Sequence, residues 1–300
     1  MHKRFFIRFL LFLLPFFIVF LFNFIVDPFN YNARFNLGFN KKEISLRTNY
    51  RLYKILEYRN HSTPNILLGD SRMFAFPVDT IDKVSGLPYY NFAYGAATLP
   101  EILETFWYAA SLTDLKNVYM GIPFNLFSSS NSKSMFAQAR KITANPMDYY
   151  LSSFTLKVSF YNVYDKFFHK NLYSENPGMD KNRFWVAQLA ATDDSYRVFN
   201  WPEEYITGLK EIKKYCEKKD IHLVFIIPPT HTDLQDKVKE NHLEKDYARY
   251  KATLRSITQT IDYDTVSDIT TSRDNFKDPY HCKEEVVARM IHEIWGKERK

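Results

Sequence analysis

Two short motifs near opposite ends of the chain contain a serine nucleophile and the groups that could activate it. Residues 69–72 read Gly-Asp-Ser-Arg, and residues 278–281 read Asp-Pro-Tyr-His, with an acid three residues before a histidine. Serine is a weak nucleophile at neutral pH and needs a base, which is normally a histidine held by a carboxylate. Because one short loop can present both Asp278 and His281, Ser71 is the candidate nucleophile.

Each member of this predicted triad also has a plainer interpretation. Ser71 could cap the helix after the first strand, because serine is a favoured N-cap residue. Asp278 could start an ordinary turn and His281 could cap the closing helix. The presence of all three residue types in two compact motifs favours catalysis over these separate structural roles.

The neighbouring polar residues have structural alternatives as well. Asp70 is expected to hold its loop by local hydrogen bonds. Arg72 either pairs with a nearby acid or meets an anionic group of a substrate. Cys282 is expected to be a small, inert thiol, and His231 a surface or packing histidine without a motif partner.

The elements around these motifs alternate between strands and helices. Residues 65–69 form a short apolar run that ends at a glycine, which predicts a buried parallel strand before the serine loop. The other predicted strands are 89–94, 118–123, 221–227 and 261–266, and the predicted helices are 46–58, 100–112, 202–219, 234–258 and one beginning at Lys283. This alternation predicts a three-layer α/β/α fold with a parallel sheet, in which ligands bind at the carboxyl ends of the strands.

The remaining stretches predict a domain order of anchor, neck and globular domain. The anchor covers residues 1–29, the neck 30–62 and the globular domain 63–300. Residues 125–199 are rich in Ser, Asn, Tyr and Phe without a clear strand, and predict a helical insertion over the active-site face. Its aromatic residues, which include Phe160, Tyr161, Tyr164, Phe167 and Phe168, are expected mainly in a core, with a substrate groove as the alternative.

With these motifs in place, residues 63–300 resemble the SGNH, or GDSL-like, hydrolase family. That family has a Gly-Asp-Ser block after its first strand and an Asp-x-x-His block before its last helix. The resemblance implies a flavodoxin-like SGNH fold, with Ser71 as nucleophile, His281 as general base and Asp278 as its orienting acid. The Gly-x-Ser-x-Gly elbow of α/β-hydrolases is absent from the sequence.

The same resemblance implies three donors for an oxyanion hole. The first is the backbone N–H of Ser71. The second is a backbone N–H after the second strand, here assigned to Gly95, with Ala96 as the alternative. The third is the side chain of Asn125, in a Gly-x-x-x-Asn segment that is longer than the family's Gly-x-Asn block.

The first thirty residues predict a membrane anchor. Residues 5–26 are almost wholly apolar and long enough to cross a hydrocarbon layer as a helix. Lys3, Arg4 and Arg8 precede or open this run, which favours a cytoplasmic amino terminus and an extracytoplasmic remainder. A cleaved signal peptide is the alternative, but no small-residue cleavage site follows the run.

Charge and cysteine content bear on the expected partners and cofactors. The formal charge of +6 is spread among acidic residues, so nucleic acid is not an expected partner. The two cysteines are expected to be free thiols, and no metal or organic cofactor is implied.

The anchor and the Gly-Asp-Ser-Arg motif together resemble the membrane-anchored SGNH proteins of bacterial envelopes, a group that includes the D-alanyl transfer protein of teichoic acid synthesis and the alginate O-acetyltransferases. This resemblance implies an O-acyltransferase or esterase acting on envelope glycan. It also implies the lipid bilayer and a multi-spanning membrane acyltransferase as partners. The alternatives are a simple ester or lipid hydrolase and a catalytically silent glycan-binding or scaffold module.

Overall fold

The computed structural model of the protein describes residues 2–168 and 180–296. The described residues form two compact units: unit 1 contains 2–61 and 135–168, and unit 2 contains 62–134 and 180–296. Residues 135–168 group with the amino-terminal segment, whereas the sequence interpretation assigned them to an insertion of the globular domain. Residues 169–179 of that insertion lie outside the described residues.

Unit 2 is built on a five-stranded parallel sheet. The strands are β1 (Asn65–Leu68), β2 (Tyr89–Asn91), β3 (Asn117–Gly121), β4 (His222–Ile227) and β5 (Thr260–Asp262), in the order β2-β1-β3-β4-β5. All four strand pairs are parallel. This confirms the predicted α/β class with a flavodoxin-like strand order, in which the direction of winding reverses between β1 and β3.

The helices, in chain order, are α1 (His2–Val26), α2 (Lys42–Thr48), α3 (Tyr50–Asn60), α4 (Ser71–Phe74), α5 (Val78–Ser85), α6 (Leu99–Leu112), α7 (Phe136–Thr143), α8 (Pro146–Tyr150), α9 (Ser153–Phe168), α10 (Lys181–Arg197), α11 (Glu203–Lys219), α12 (Thr232–Glu240), α13 (Glu244–Ile257) and α14 (Glu284–Trp295). Short 3-10 turns occur at Phe124–Leu126 and Arg273–Asn275. A two-stranded antiparallel hairpin, β6 (Phe276–Asp278) and β7 (His281–Cys282), precedes α14.

Two of the predicted helices are each divided in two by a local polar signal. The predicted helix 46–58 breaks at Asn49, whose side chain accepts a hydrogen bond from Leu52 N and thereby caps α3. The predicted helix 234–258 breaks between α12 and α13, where His242 has a φ of +57°. A residue in this left-handed conformation cannot continue an α-helix.

The sheet is covered on both faces because its strands are buried apolar segments. Leu67, Tyr119 and Val224 lie in one core cluster with Ile291 and Trp295 of α14, and α5 packs against α14 on this side. Helices α6 and α11 pack against each other. Helix α6 also packs against β1, and α11 against β4. A capping box formed by Thr98 and Glu101 begins α6. The result is the predicted three-layer arrangement.

Unit 1 is helical, and α1 is its most apolar element. Of the described helices, α1 alone is long and apolar enough to cross a membrane. Helices α8 and α9 contact α1 within this unit. Four of the aromatic residues expected in a core, Phe160, Tyr164, Phe167 and Phe168, are instead exposed. The core interpretation was wrong for them because α9 turns its other face inward.

Candidate active site

The serine loop leaves the carboxyl end of β1 through a glycine that no other residue can replace without strain. Gly69 has a φ of +148°, and a Cβ there would lie 2.5 Å from Cγ of Met73. Its neighbour Asp70 caps the short helix α4 by accepting a hydrogen bond from Arg72 N at 3.0 Å. Ser71 is therefore the first residue of α4, half-buried at the edge of the sheet.

The structure brings Ser71, His281 and Asp278 together in a continuous hydrogen-bonded chain. Ser71 Oγ lies 2.7 Å from His281 Nε2, and His281 Nδ1 lies 2.9 Å and 2.8 Å from the two carboxylate oxygens of Asp278. A carboxylate only accepts when ionised, so Nδ1 carries the proton and Nε2 is left to accept from the serine hydroxyl. This is the geometry that a general base requires.

Asp278 is held ionised by the groups around it. Burial alone would raise its pKa, but the hydrogen bond and charge of His281, together with the backbone N–H groups of Tyr280 and His281, lower the pKa below its ordinary value. Those two N–H groups donate to Asp278 Oδ1 at 2.9 Å and 3.1 Å. The acid is thus fixed in position and charged across the neutral range.

The hairpin β6–β7 supports this acid–histidine loop. Asp278 and His281 are paired across it, with two residues between them. The carbonyl of Pro279 accepts from His231 N at 3.0 Å, and the hydroxyl of Tyr280 lies 2.6 Å from Thr192 Oγ1 on α10. No sequence pattern marks Thr192 as a support for the loop, because its role depends on the packing of α10 beside β6.

Arg72 joins the serine loop to the segment after β3. Its buried guanidinium forms an ion pair with Asp70, and its NH2 group donates to Asn125 Oδ1 at 2.7 Å. Although burial would lower the pKa of Arg72, the charge of Asp70 and the hydrogen bonds to it raise the pKa above its ordinary value. Of the two roles predicted for Arg72, the structure displays pairing with an acid, and Asp70 is that acid.

The contact with Arg72 determines which way the amide of Asn125 faces. A guanidinium has donors but no acceptor, so the amide oxygen must face it and the NH2 group must point away. Among the described residues, Asn125 Nδ2 donates no hydrogen bond to another protein group, and Asn125 is half-buried. Asn125 thus offers a free donor at the carboxyl end of β3, next to β1, which leads into the serine loop.

The other two predicted oxyanion donors lie close to the same loop in the fold. Ser71 N belongs to the first turn of α4, where backbone N–H groups have no partner within the helix. The segment after β2 is tied to the serine loop, because Tyr94 N donates to Gly69 O at 3.1 Å. Gly95 is the residue directly after Tyr94, and Ala96 has a left-handed backbone conformation with a φ of +51°. The oxyanion roles of Ser71, Gly95 and Asn125 stay predictions.

The neighbouring thiol and the second histidine take structural positions. The cysteines Cys216 and Cys282 are free, and burial raises the pKa of the Cys282 thiol to about 12, so it is protonated at neutral pH. His231 is buried between the rings of Trp185 and Phe276 and caps α12. The packing interpretation of His231 is therefore confirmed.

Comparisons with known proteins find similarity only among solved structures. No family model matches the chain, and no curated protein matches it. A protein described as lipolytic and of the G-D-S-L family, from Desulfitobacterium hafniense, is 12% identical with a TM-score of 0.37, over 79% of this chain and 99% of that one. A Bacteroides fragilis protein described as an acylhydrolase is 12% identical with a TM-score of 0.43, over 84% and 98%.

A third similar structure is that of a Streptococcus pneumoniae protein described as a platelet activating factor. It is 10% identical with a TM-score of 0.40, over 81% of this chain and 90% of the other. At such identities the likeness concerns the fold, so the chemistry of the site rests on the geometry of its own side chains.

Proposed function

We propose that the protein is a serine esterase or acyltransferase of the SGNH type. The observation that carries the proposal is the chain of hydrogen bonds from Ser71 Oγ through His281 to Asp278. Both ring nitrogens of His281 have the partners that nucleophilic catalysis requires, and the acid is kept ionised. The resemblance to the SGNH family adds the predicted oxyanion roles of Gly95 and Asn125 to this triad.

The proposed reaction proceeds in two halves. In the first, Ser71 Oγ attacks the carbonyl carbon of an ester while its proton passes to His281 Nε2. The tetrahedral oxyanion is stabilised by Ser71 N, Gly95 N and Asn125 Nδ2. The carbon–oxygen bond to the leaving alcohol then breaks, and that alcohol takes the proton from Nε2. The acyl group is left on Ser71.

In the second half, water or a hydroxyl group attacks the acyl-serine. Its proton passes to His281 Nε2 as the new carbon–oxygen bond forms. When the tetrahedral intermediate collapses, Ser71 Oγ leaves and recovers that proton. Water gives a carboxylic acid and makes the protein an esterase, whereas a sugar hydroxyl gives a new ester and makes it an O-acyltransferase.

The proposed setting is the outer side of a bacterial membrane, with envelope glycan as the acyl acceptor. Two features support it: the apolar helix α1 at the amino terminus, and the resemblance of the Gly-Asp-Ser-Arg motif to anchored envelope proteins. A multi-spanning membrane acyltransferase would supply the acyl group. Catalysis by Ser71 does not depend on this setting, so the two parts of the proposal are tested separately.

The acceptor is tested with the full chain in detergent, 4-nitrophenyl acetate as donor and a soluble oligosaccharide as acceptor. Acetylated oligosaccharide that forms with wild type and not with Ser71→Ala is the expected result for a transferase. Acetate alone, lost in the same variant, favours the ester hydrolase. Equal background rates for wild type and Ser71→Ala contradict both enzymatic proposals and favour the binding module.

A further inference from the structure

Helix α9 of unit 1 has its polar residues inside and its aromatic residues outside. Its buried side chains are small or polar, namely Thr155, Val158, Ser159 and Asn162. Its exposed face carries Phe160, Tyr164, Phe167 and Phe168, with Phe160 58% and Phe167 66% exposed. A helix at the surface of a water-soluble domain has the opposite arrangement, with the apolar stripe toward the core.

The buried face of α9 packs against the end of α1 through polar contacts. Ser159 Oγ donates to Asn23 Oδ1 at 2.9 Å, and Asn23 Nδ2 donates to Tyr150 O at 2.8 Å. The rings of Phe22 and Phe160 lie 5.0 Å apart. Small and hydrogen-bonding residues between helices, with large apolar residues outside, are typical of helices that contact lipid.

Other exposed apolar residues extend this face within unit 1. The collar is defined as Phe35 and Leu37 of the segment before α2, Met147 and Leu151 at α8, and Phe160, Tyr164, Phe167 and Phe168 of α9. Phe24 of α1 stacks on Phe35 at 5.2 Å, and Phe20 contacts Tyr150 at 5.2 Å. The collar therefore begins at the turns of α1 where the exposed apolar run from Phe5 to Leu21 ends.

The density of exposed apolar side chains distinguishes unit 1 from unit 2. Outside α1, the 69 described residues of unit 1 expose nine large apolar side chains, whereas the 190 described residues of unit 2 expose seven. Scattered exposed apolar residues are normal on a soluble surface, but a concentration of them marks an interaction site. Unit 1 has that concentration next to its membrane-length helix.

Two of the three charged residues of α9 contact the segment before α2. Asp165 forms an ion pair with Lys41, and Lys166 Nζ donates to Gly38 O at 2.8 Å while lying 4.1 Å from the centre of the Phe39 ring. Lys157 lies over the ring of Tyr161. Phenylalanine and tyrosine with lysines nearby is the composition of elements that lie at the boundary between headgroups and acyl chains.

We propose that the collar is a second membrane contact, which lies in the interfacial layer of the leaflet from which α1 emerges. The occupant of this surface is the lipid bilayer, because Phe35 and Phe160 of the collar contact Phe24 and Phe22 of α1, where its exposed apolar run ends. The inference rests on the proposed function only for the anchor α1 and not for the chemistry of Ser71. Unit 1 would thus be a membrane-surface domain rather than a simple neck.

The test uses the full chain in vesicles of phosphatidylcholine and phosphatidylglycerol, with single cysteines labelled by the fluorophore NBD. The native cysteines are first replaced by alanine. The labelled variants are Phe160→Cys and Phe167→Cys in the collar, Leu14→Cys in α1 and Val266→Cys as an exposed control in unit 2. All four positions are exposed, so the substitutions should leave the fold intact. Circular dichroism and gel filtration check this.

The lipids carry a doxyl quencher either near the headgroup or deep in the acyl chain. We expect the shallow quencher to reduce emission from both collar positions at least about twofold more than from Val266→Cys, and the deep quencher to act most on Leu14→Cys. Unquenched collar labels with a quenched Leu14→Cys label would overturn the collar and leave the anchor, and a protein partner would then cover this surface. An unquenched Leu14→Cys label would overturn the anchor and the collar together.

Discussion

Two histidines lie at the same edge of unit 2 and differ in what their ring nitrogens contact. His281 has a carboxylate on Nδ1 and a serine hydroxyl on Nε2. His231 accepts from Asp233 N at Nδ1, and its Nε2 is buried. Burial is the main cause that lowers the pKa of His231. A histidine at the edge of the sheet is thus not sufficient for catalysis. Its two ring nitrogens must also contact a carboxylate and a nucleophile.

His231 is nevertheless connected to the loop of His281 through the backbone. His231 N donates to the carbonyl of Pro279, in the loop that carries Asp278 and His281. His231 therefore supports the active site by the position of its main chain, while its ring packs between Trp185 and Phe276. Substitution of His281 should therefore lower activity, whereas substitution of His231 should mainly lower stability.

The largest effect is expected from replacing His281, the proposed general base. His281→Ala should lower kcat for 4-nitrophenyl acetate by about 10⁴-fold to 10⁶-fold, because Ser71 loses its base. Initial rates on the folded variant measure this loss. A variant that keeps more than a tenth of the wild-type rate would contradict the role of His281.

The next largest effect concerns the acid. Asp278→Asn should lower kcat by about 10⁴-fold, because an amide favours the wrong tautomer of His281. The ring remains in place in this variant, so the loss should fall on kcat rather than on KM. A steady-state comparison of both parameters checks this, and a change confined to KM would show that Asp278 acts only in binding.

Asn125 should show an intermediate effect. Asn125→Ala removes the free Nδ2 donor and leaves the ion pair of Arg72 with Asp70 intact, so the fold should persist. We expect kcat to fall by about 100-fold with little change in KM, as for the loss of one oxyanion donor. Asn125→Asp is the matched control, because it keeps an oxygen facing Arg72 but also lacks the donor. Unchanged kcat in both variants would exclude Asn125 from the oxyanion hole.

The acid–histidine loop should also contribute to stability in a pH-dependent way. The pKa of Asp278 is lowered in the folded protein, so its charged form adds stability above the ordinary aspartate pKa of about 3.9. That contribution should be lost as the pH falls through the folded pKa. Urea unfolding of wild type and Asp278→Asn from pH 7 to pH 3 measures it. A stability difference that grows as the pH falls would contradict this sign.

The smallest effect on activity is expected at the other histidine. His231→Asn keeps a side chain that can cap α12 by accepting from Asp233 N, and it removes a buried ring. We expect kcat to change less than about threefold, with unfolding free energy reduced by about 1 to 3 kcal/mol. Thermal unfolding and initial rates measure the two effects. A loss of activity as large as that of His281→Ala would remove the distinction between the two histidines.

The sequence was sufficient for the five strands of the sheet and for the residues that meet at its edge, although β2 and β5 end at Asn91 and Asp262, three and four residues before their predicted ends. Strands β1, β3 and β4 are buried apolar runs that end at glycine or proline, so their positions were predicted within about two residues. Ser71, Asp278 and His281 lie in two motifs whose residue types and order predict the proposed chemistry. The hairpin β6–β7 was missed, because strands of three and two residues have no readable periodicity.

Contacts between distant segments could not be predicted in this way. The link from Arg72 to Asn125 depends on the approach of two loops at neighbouring strands, which the pairing of β1 with β3 could have suggested. The outward face of α9 was also missed, because regular spacing of aromatic residues does not tell which side of a helix faces the protein. Only its contacts with Asn23 and Lys41 determine that side.

Whether Ser71 is an activated nucleophile is measured most directly by the intact mass of the full chain in detergent after incubation with a fluorophosphonate probe. Wild type and Ser71→Ala are compared, and His281→Ala serves as a second control. We expect one covalent adduct on Ser71 in wild type, none in Ser71→Ala, and labelling slowed by orders of magnitude in His281→Ala. A folded, monodisperse wild-type protein that forms no adduct, or an adduct that persists in Ser71→Ala, would contradict an activated serine at this site.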